Sequence, residues 1–163
     1  MVLKCNQYFL LFLLQMNKRN YISDEPCPVA RSVGVVGDRW SLLIVRDAFD
    51  GVRRFSDFQR SLGVARNILA DRLRRLVNAG ILETQPGSNG GAYQVYVLTA
   101  QGKSLFPVVV ALRQWGERYL FEQDEPHSEL VEKITGKPVR FMTPHTEDGH
   151  LLSPDDTEVR KLS

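Results

Sequence analysis

Cysteine is scarce in this chain of 163 residues, where Cys5 and Cys27 are the only two. Two thiols cannot build a disulfide framework and suit a reducing compartment, so the fold is expected to rest on its apolar core and the protein to be cytoplasmic. Long hydrophobic runs are missing as well. The one apolar run that stands out, Tyr8 to Leu14, is far short of the ~20 residues that a membrane-spanning helix needs, and no membrane partner is expected. There is no phosphate-cradling glycine loop, no nucleophile elbow and no HExxH, and the carboxylates are scattered over helix surfaces, which argues against an enzyme. His127, His145 and His150 have no cysteine near them in a ligand spacing, so neither a metal nor another cofactor is expected.

Lysine is also absent from residues 39 to 80, yet that stretch carries nine arginines against four aspartates. Arginine presents a planar fork that matches phosphate oxygens or the O6/N7 edge of guanine, so an arginine-only basic region suits nucleic acid. The plainer alternative is a solvated helix face with surface ion pairs. The net charge of +2 hides a split, because residues 122 to 163 hold ten acidic side chains against five basic ones. That acidic tail is expected to lie away from DNA. With 43% apolar residues, the chain can bury a core without metal or disulfide help.

The order of elements from Arg54 to Thr99 reads as a winged helix-turn-helix. Ser56 and Gln59 have the spacing of a capping box for a first helix that carries Phe55, Phe58 and Leu62 and stops at Gly63. A second helix is predicted over Arg66 to Asn78, where Leu69, Leu73, Leu76 and Val77 recur at helical intervals, and Gly80 ends it. Ile81 to Thr84 and Tyr93 to Leu98 are β-rich, and Pro86 to Gly91 has the chemistry of a loose hairpin loop. This hairpin is the expected wing.

Around this unit the pattern is helical. Pro28 suits the first position of a helix that carries Val29, Val33 and Val36 and closes at Gly37. Asp38 is placed to cap the next, with Trp40, Leu43, Ile44 and Ala48 at core spacing and Asp50-Gly51 at its end. Thr99 is expected to cap a long helix with Leu105, Val109, Leu112, Trp115 and Tyr119 along it and a kink at Pro107. Glu129 to Met142 reads as a hairpin about Thr135-Gly136, with later turns at Asp148-Gly149 and Ser153-Pro154. At the other end, the run Tyr8 to Leu14 lacks a small-residue cleavage site and is followed by Lys18 and Arg19, unlike a signal peptide. Two readings stay open: translation begins at Met16, or the first residues are an apolar arm at a dimer interface.

Cys27-Pro28-Val29-Ala30, Gly37 to Arg46, Arg54 to Phe58, Leu73 to Leu76 with Ala79-Gly80, and Leu98 to Gly102 together resemble the HxlR family of bacterial transcription regulators, relatives of the MarR type. The resemblance covers roughly residues 27 to 120. It implies a homodimer that binds double-stranded operator DNA, with the second helix of each subunit in a major groove and the helix after the wing paired with its mate through Leu105, Val109, Leu112, Trp115 and Tyr119. The expected organisation is an apolar arm and linker over 1–26, a winged helix-turn-helix domain over 27–120 with its dimerisation helix at 99–120, and an acidic appendage over 121–163. The fold class is mainly α with a small β-hairpin. Repression by blocking a promoter is the expected action, and a winged helix used only for protein contact is the alternative.

The 3.6-residue turn divides the second helix. Asn67, Ala70, Asp71, Arg74 and Asn78 share the face opposite the leucines, with Arg66 at the start. Arg66, Asn67, Ala70, Asp71 and Arg74 are the expected base-reading set, with arginine suited to guanine, asparagine to adenine and alanine to a thymine methyl. Arg53, Arg54, Ser56, Arg60, Arg72 and Arg75 lie on the flanks and are expected at phosphates. Ala65, before the second helix, offers no side-chain cap, and Gly87 to Gly91 carries no basic residue, so the helix is expected to supply most of the specificity. Cys27 precedes Pro28 beside helix-terminal N–H groups and Arg31, a place that suits a reactive thiol. Some similar regulators sense electrophiles or oxidants through a cysteine there. The alternative is a buried side chain that only caps and packs.

Overall fold

The computed structural model describes residues 26–87 and 93–161. The run Tyr8 to Leu14, Cys5, Met16 and the wing tip from Ser88 to Ala92 lie outside the described residues. The chain divides into two compact units between Leu105 and Phe106.

The first unit runs α1 (Pro28–Val36), α2 (Arg39–Phe49), α3 (Phe55–Leu62), α4 (Arg66–Asn78), β1 (Leu82–Pro86), β2 (Gln94–Leu98) and the short α5 (Ala100–Lys103). The strands pair antiparallel from Leu82 opposite Leu98 to Pro86 opposite Gln94. A mainly helical chain with one β-hairpin is the expected class. Strand β1 starts one residue later than the β-rich run predicts and takes in Pro86, which is tolerated because it sits at the strand end, where a missing N–H costs little. Just before α3 the backbone adds a strand-like edge. Arg54 bridges antiparallel to Val95, and the Tyr96 N–H donates to the Arg53 carbonyl at 2.8 Å.

The core forms where the helices meet this sheet. Leu69, Leu73 and Leu76 of α4 are fully buried with Ile44 and Val45 of α2 and Phe58 of α3, and Phe58 meets Tyr96 edge-on at 6.5 Å. Each such aliphatic side chain contributes about 1.5–3 kcal/mol by leaving water. In α2 the buried set differs from the expected one. Ser41 and Asp47 are buried with Ile44 and Val45, while Trp40 is half-buried with the Arg39 guanidinium 4.2 Å over its ring. Asp38 caps α2 as its position predicts, accepting from the Trp40 and Ser41 N–H groups at 3.1 Å each.

Helix α3 is not opened by a capping box. Its N-cap is Arg54, whose extended backbone is set by the bridge to Val95, so the helix begins at Phe55 and Ser56 falls at the second helical position. Gly63 ends it with φ of 59°, a left-handed conformation that glycine adopts without strain.

The helix expected from Thr99 to Tyr119 is two helices. α5 ends at Lys103, and α6 (Phe106–Tyr119) begins after a turn. Pro107 would set its ring against the carbonyl of Lys103 in a continuous helix, so it stands near the start of a new one, where its missing N–H is harmless. Thr99 still caps. Its Oγ1 accepts from the Gly102 N–H at 3.0 Å and donates to the Gly80 carbonyl, while its N–H donates to the Ile81 carbonyl at 3.1 Å. Gly102 makes this junction possible, because a Cβ there would lie 2.1 Å from the Ile81 oxygen.

The second unit holds α6 and the acidic appendage. The expected hairpin is reduced to one bridge, Val131 to Pro138, and a second bridge joins His145 to Leu151. Gln114 of α6, buried, grips this chain by two hydrogen bonds: its Nε2 donates to the Arg140 carbonyl and its Oε1 accepts from the Met142 N–H, both at 2.9 Å. Arg113 donates to the Ser128 carbonyl at 2.8 Å. Among the described residues no helix is long and apolar enough to cross a membrane.

Candidate nucleic-acid interface

Helix α4 buries its leucines and leaves the opposite face open. Arg66, Asn67, Ala70, Arg74 and Asn78 are exposed there, and Asp71 is half-buried between arginines. Arg66 extends over the Phe55 ring with its guanidinium carbon 5.5 Å from the centroid, so the first arginine of α4 leans on the first residue of α3. Ile68 is exposed on the same helix and is not among the expected face residues. Its leucine neighbour Leu69 belongs to the stripe, which is why periodicity assigns Ile68 to neither face.

Asp71 is the hub of this surface. Arg74 Nη2 lies 2.6 Å from its Oδ1, Arg75 Nε 2.8 Å from its Oδ2 and Arg72 Nη1 3.3 Å from the same Oδ2. The hydrogen bond from Arg74, and then the charges of Arg75, Arg74 and Arg72, hold the Asp71 carboxyl below the ordinary aspartate value against an opposing push from desolvation. Arg72 behaves differently from the other two. Its side chain is 23% exposed against 70% for Arg74, and its Nε lies at ion-pair distance, 3.1 Å, from Asp38 Oδ1, without the alignment of a hydrogen bond. The residue that caps α2 thus also anchors α4.

The flanking residues fall into two groups. Ser56 and Arg60 are exposed on α3, where Arg60 reaches Asp57 at 3.4 Å. Arg53 and Arg54 precede α3 beside the wing, and the Arg54 guanidinium packs 4.6 Å over the Tyr93 ring while its Nη2 donates to the Tyr93 hydroxyl at 2.8 Å. A Cβ on Gly87 would strike the same ring. Tyr93 therefore fills the space between the wing backbone and Arg54, a role that nothing in the spacing of the sequence reveals. At the head of α1, Cys27 is the N-cap residue, with its side chain exposed and making no cap hydrogen bond. The buried capping side chain considered from sequence is not what the fold contains.

In the second unit, Leu112, Trp115 and Tyr119 are 50%, 53% and 62% exposed along α6, and the Trp115 and Tyr119 rings lie 5.7 Å apart. Val108 extends the exposed stripe in place of Val109, which is half-buried, and Leu105 is half-buried at the turn before α6.

Known proteins share this arrangement. The chain is 42% identical to the uncharacterized HTH-type transcriptional regulator Rv3095 of Mycobacterium tuberculosis over 109 residues, 67% of this chain and 69% of that protein. The crystal structure of PA1607, a candidate transcription factor, superposes with a TM-score of 0.84 at 49% identity, covering 87% of this chain and 99% of that one. The reduced form of the redox regulator HypR matches with a TM-score of 0.52 at 29% identity over 56% of this chain and 92% of its own. The pattern of the HxlR-like helix-turn-helix family matches residues 35–124, from the end of α1 past the end of α6. A capped α2, the α3–α4 pair with its arginine face, the wing and the following helices are the parts of a DNA-binding transcription regulator, and this chain belongs to the HxlR-like helix-turn-helix family.

Proposed function

We propose that the protein is a homodimeric repressor that reads an inverted-repeat operator with α4 in the major groove. The observation that carries the reading is the open face of α4, where Arg66, Asn67, Ala70 and Arg74 stand exposed beside Asp71 while the opposite face is sealed in the core. Exposed arginine and asparagine side chains on a helix of this length can reach base edges in a major groove, and Ala70 leaves room for a thymine methyl. Arg53, Arg54, Ser56, Arg60 and Arg75 flank that face at the surface and suit phosphates, and Arg72 joins them through the ion pairs that fix the helix. The exposed stripe of Leu112, Trp115 and Tyr119, with Leu105 and Val109 half-buried on the same stretch, supports pairing of α6 with a second copy. Blocking a promoter requires nothing of the protein beyond occupancy of its site, so repression is the simplest action.

A two-fold dimer presents two equivalent helices, so the operator has half-sites centred about one helical turn, or a small multiple of it, apart. Footprinting on duplexes selected by the protein, with light scattering on the same sample, tests this. Protection of one short asymmetric site by a monomer would overturn it. A small electrophile or oxidant acting on Cys27 is the proposed effector route, supported by the exposed thiol and by the likeness to a redox regulator.

A further inference from the structure

Asp71 stands on the groove-facing side of α4, yet both of its oxygens are already engaged by the protein's own arginines. Arg74 Nη2 lies 2.6 Å from Oδ1, while Arg75 Nε at 2.8 Å and Arg72 Nη1 at 3.3 Å share Oδ2. Three guanidiniums within one turn and a half would otherwise repel one another, and a carboxylate among them offsets that repulsion and limits the directions each fork can take. Arg72 also reaches Asp38, the cap of α2, so the cluster is tied to a second helix and not only to its own. Long arginine side chains on an open helix face sample many rotamers, and ordering them before DNA arrives removes part of that entropic cost from binding.

We infer that Asp71 is a positioning residue, which holds Arg74 in the orientation that reads a base and restrains Arg75 from binding phosphate indiscriminately, and which does not itself accept a hydrogen bond from a base. The inference rests on the groove reading of α4 above. It makes one acidic side chain, placed in a basic surface, a determinant of specificity at a cost in raw affinity.

Two measurements test it, one without DNA. In the free protein, nitrogen relaxation of the Arg74 and Arg75 side chains reports their order; Asp71→Asn, which keeps the shape and removes the charge, is expected to make both markedly more mobile. Unchanged order in that variant overturns the inference whatever α4 binds. The second measurement is selection of duplexes from a randomised pool by wild type, Asp71→Asn, Arg74→Ala and the double variant. Asp71→Asn is expected to blur the same base position as Arg74→Ala, with the double variant no worse there than Arg74→Ala alone. It should also bind random duplex more tightly and narrow the ratio of selected to random binding roughly five- to tenfold. Asp71→Glu, which keeps the charge, should recover most of the preference. Loss at a different base position, additive with Arg74→Ala, would make Asp71 a direct base reader and overturn the inference. Failure of the wild type to enrich any sequence would overturn the groove reading and this assignment together, and it is recognisable because it involves no variant.

Discussion

The residues that define this protein's surface chemistry are few, and Asp71 illustrates how they can be probed. Its carboxyl is held below the ordinary aspartate value, first by the hydrogen bond from Arg74, so the ionised form is favoured in the folded state. A depressed acid contributes stability that is present above its unfolded value and is lost as pH falls through the lower folded one. Carboxyl chemical shifts followed during acid titration should therefore show Asp71 still ionised when an ordinary aspartate is protonated. Arg74→Ala should bring its midpoint back towards the ordinary value; no movement in that variant would mean that Arg74 is not the dominant cause. Cys27 offers a second test at the same scale. If the thiol transmits an electrophile signal, a quinone or peroxide should weaken operator binding by the wild type and leave Cys27→Ser unaffected. Identical binding curves for the two proteins, with and without the electrophile, would remove Cys27 from regulation.

Among the elements, the junction after the wing shows how local chemistry fixes a boundary. Thr99 closes the hairpin onto Gly80 and Ile81 and at the same time starts α5, and Gly102 allows the two backbones to touch. Gly102→Ala is expected to destabilise the first unit by about 1–3 kcal/mol, the usual cost of forcing atoms into a filled space, as a lowered urea midpoint with little change in slope. A midpoint equal to the wild type would show that the contact relaxes freely. The same scale explains which features the sequence made legible. Helix α4 can be read from Leu69, Leu73 and Leu76 because burial imposes a helical period on neighbours along the chain, and Gly63 and Asp38 mark ends by local geometry alone. The break before α6 is harder to read, since Pro107 is compatible both with a kink and with a new helix until the partners of the preceding turn are known. Ser56 misleads for a related reason. The bridge from Arg54 to Val95, distant in sequence, decides where α3 begins.

Across the whole molecule, partners far apart in the chain leave no periodic trace, and these are the features that sequence does not disclose. Arg72 with Asp38, Arg54 with Tyr93, and Gln114 with Arg140 and Met142 are of this kind. Assembly is a property of the whole molecule. If α6 pairs with a second copy through its exposed apolar stripe, Leu112→Glu places a charge in that contact. The variant should sediment as a monomer and bind an inverted repeat far more weakly than the wild type, while its thermal transition stays cooperative. An unchanged sedimentation coefficient would mean that the exposed stripe of α6 is not a pairing surface. The arginine-only stretch from α2 to α4 has a further practical meaning. Guanidinium groups do not react with acylating reagents under conditions that modify amines, and no lysine occurs between residues 26 and 102, so neither an acetyltransferase nor an amine-directed dye has a lysine target on α3 or α4. Lys103, Lys133, Lys137 and Lys161 are exposed outside α3 and α4, so an amine-directed fluorophore attaches at these positions and leaves the arginines of the proposed DNA face charged.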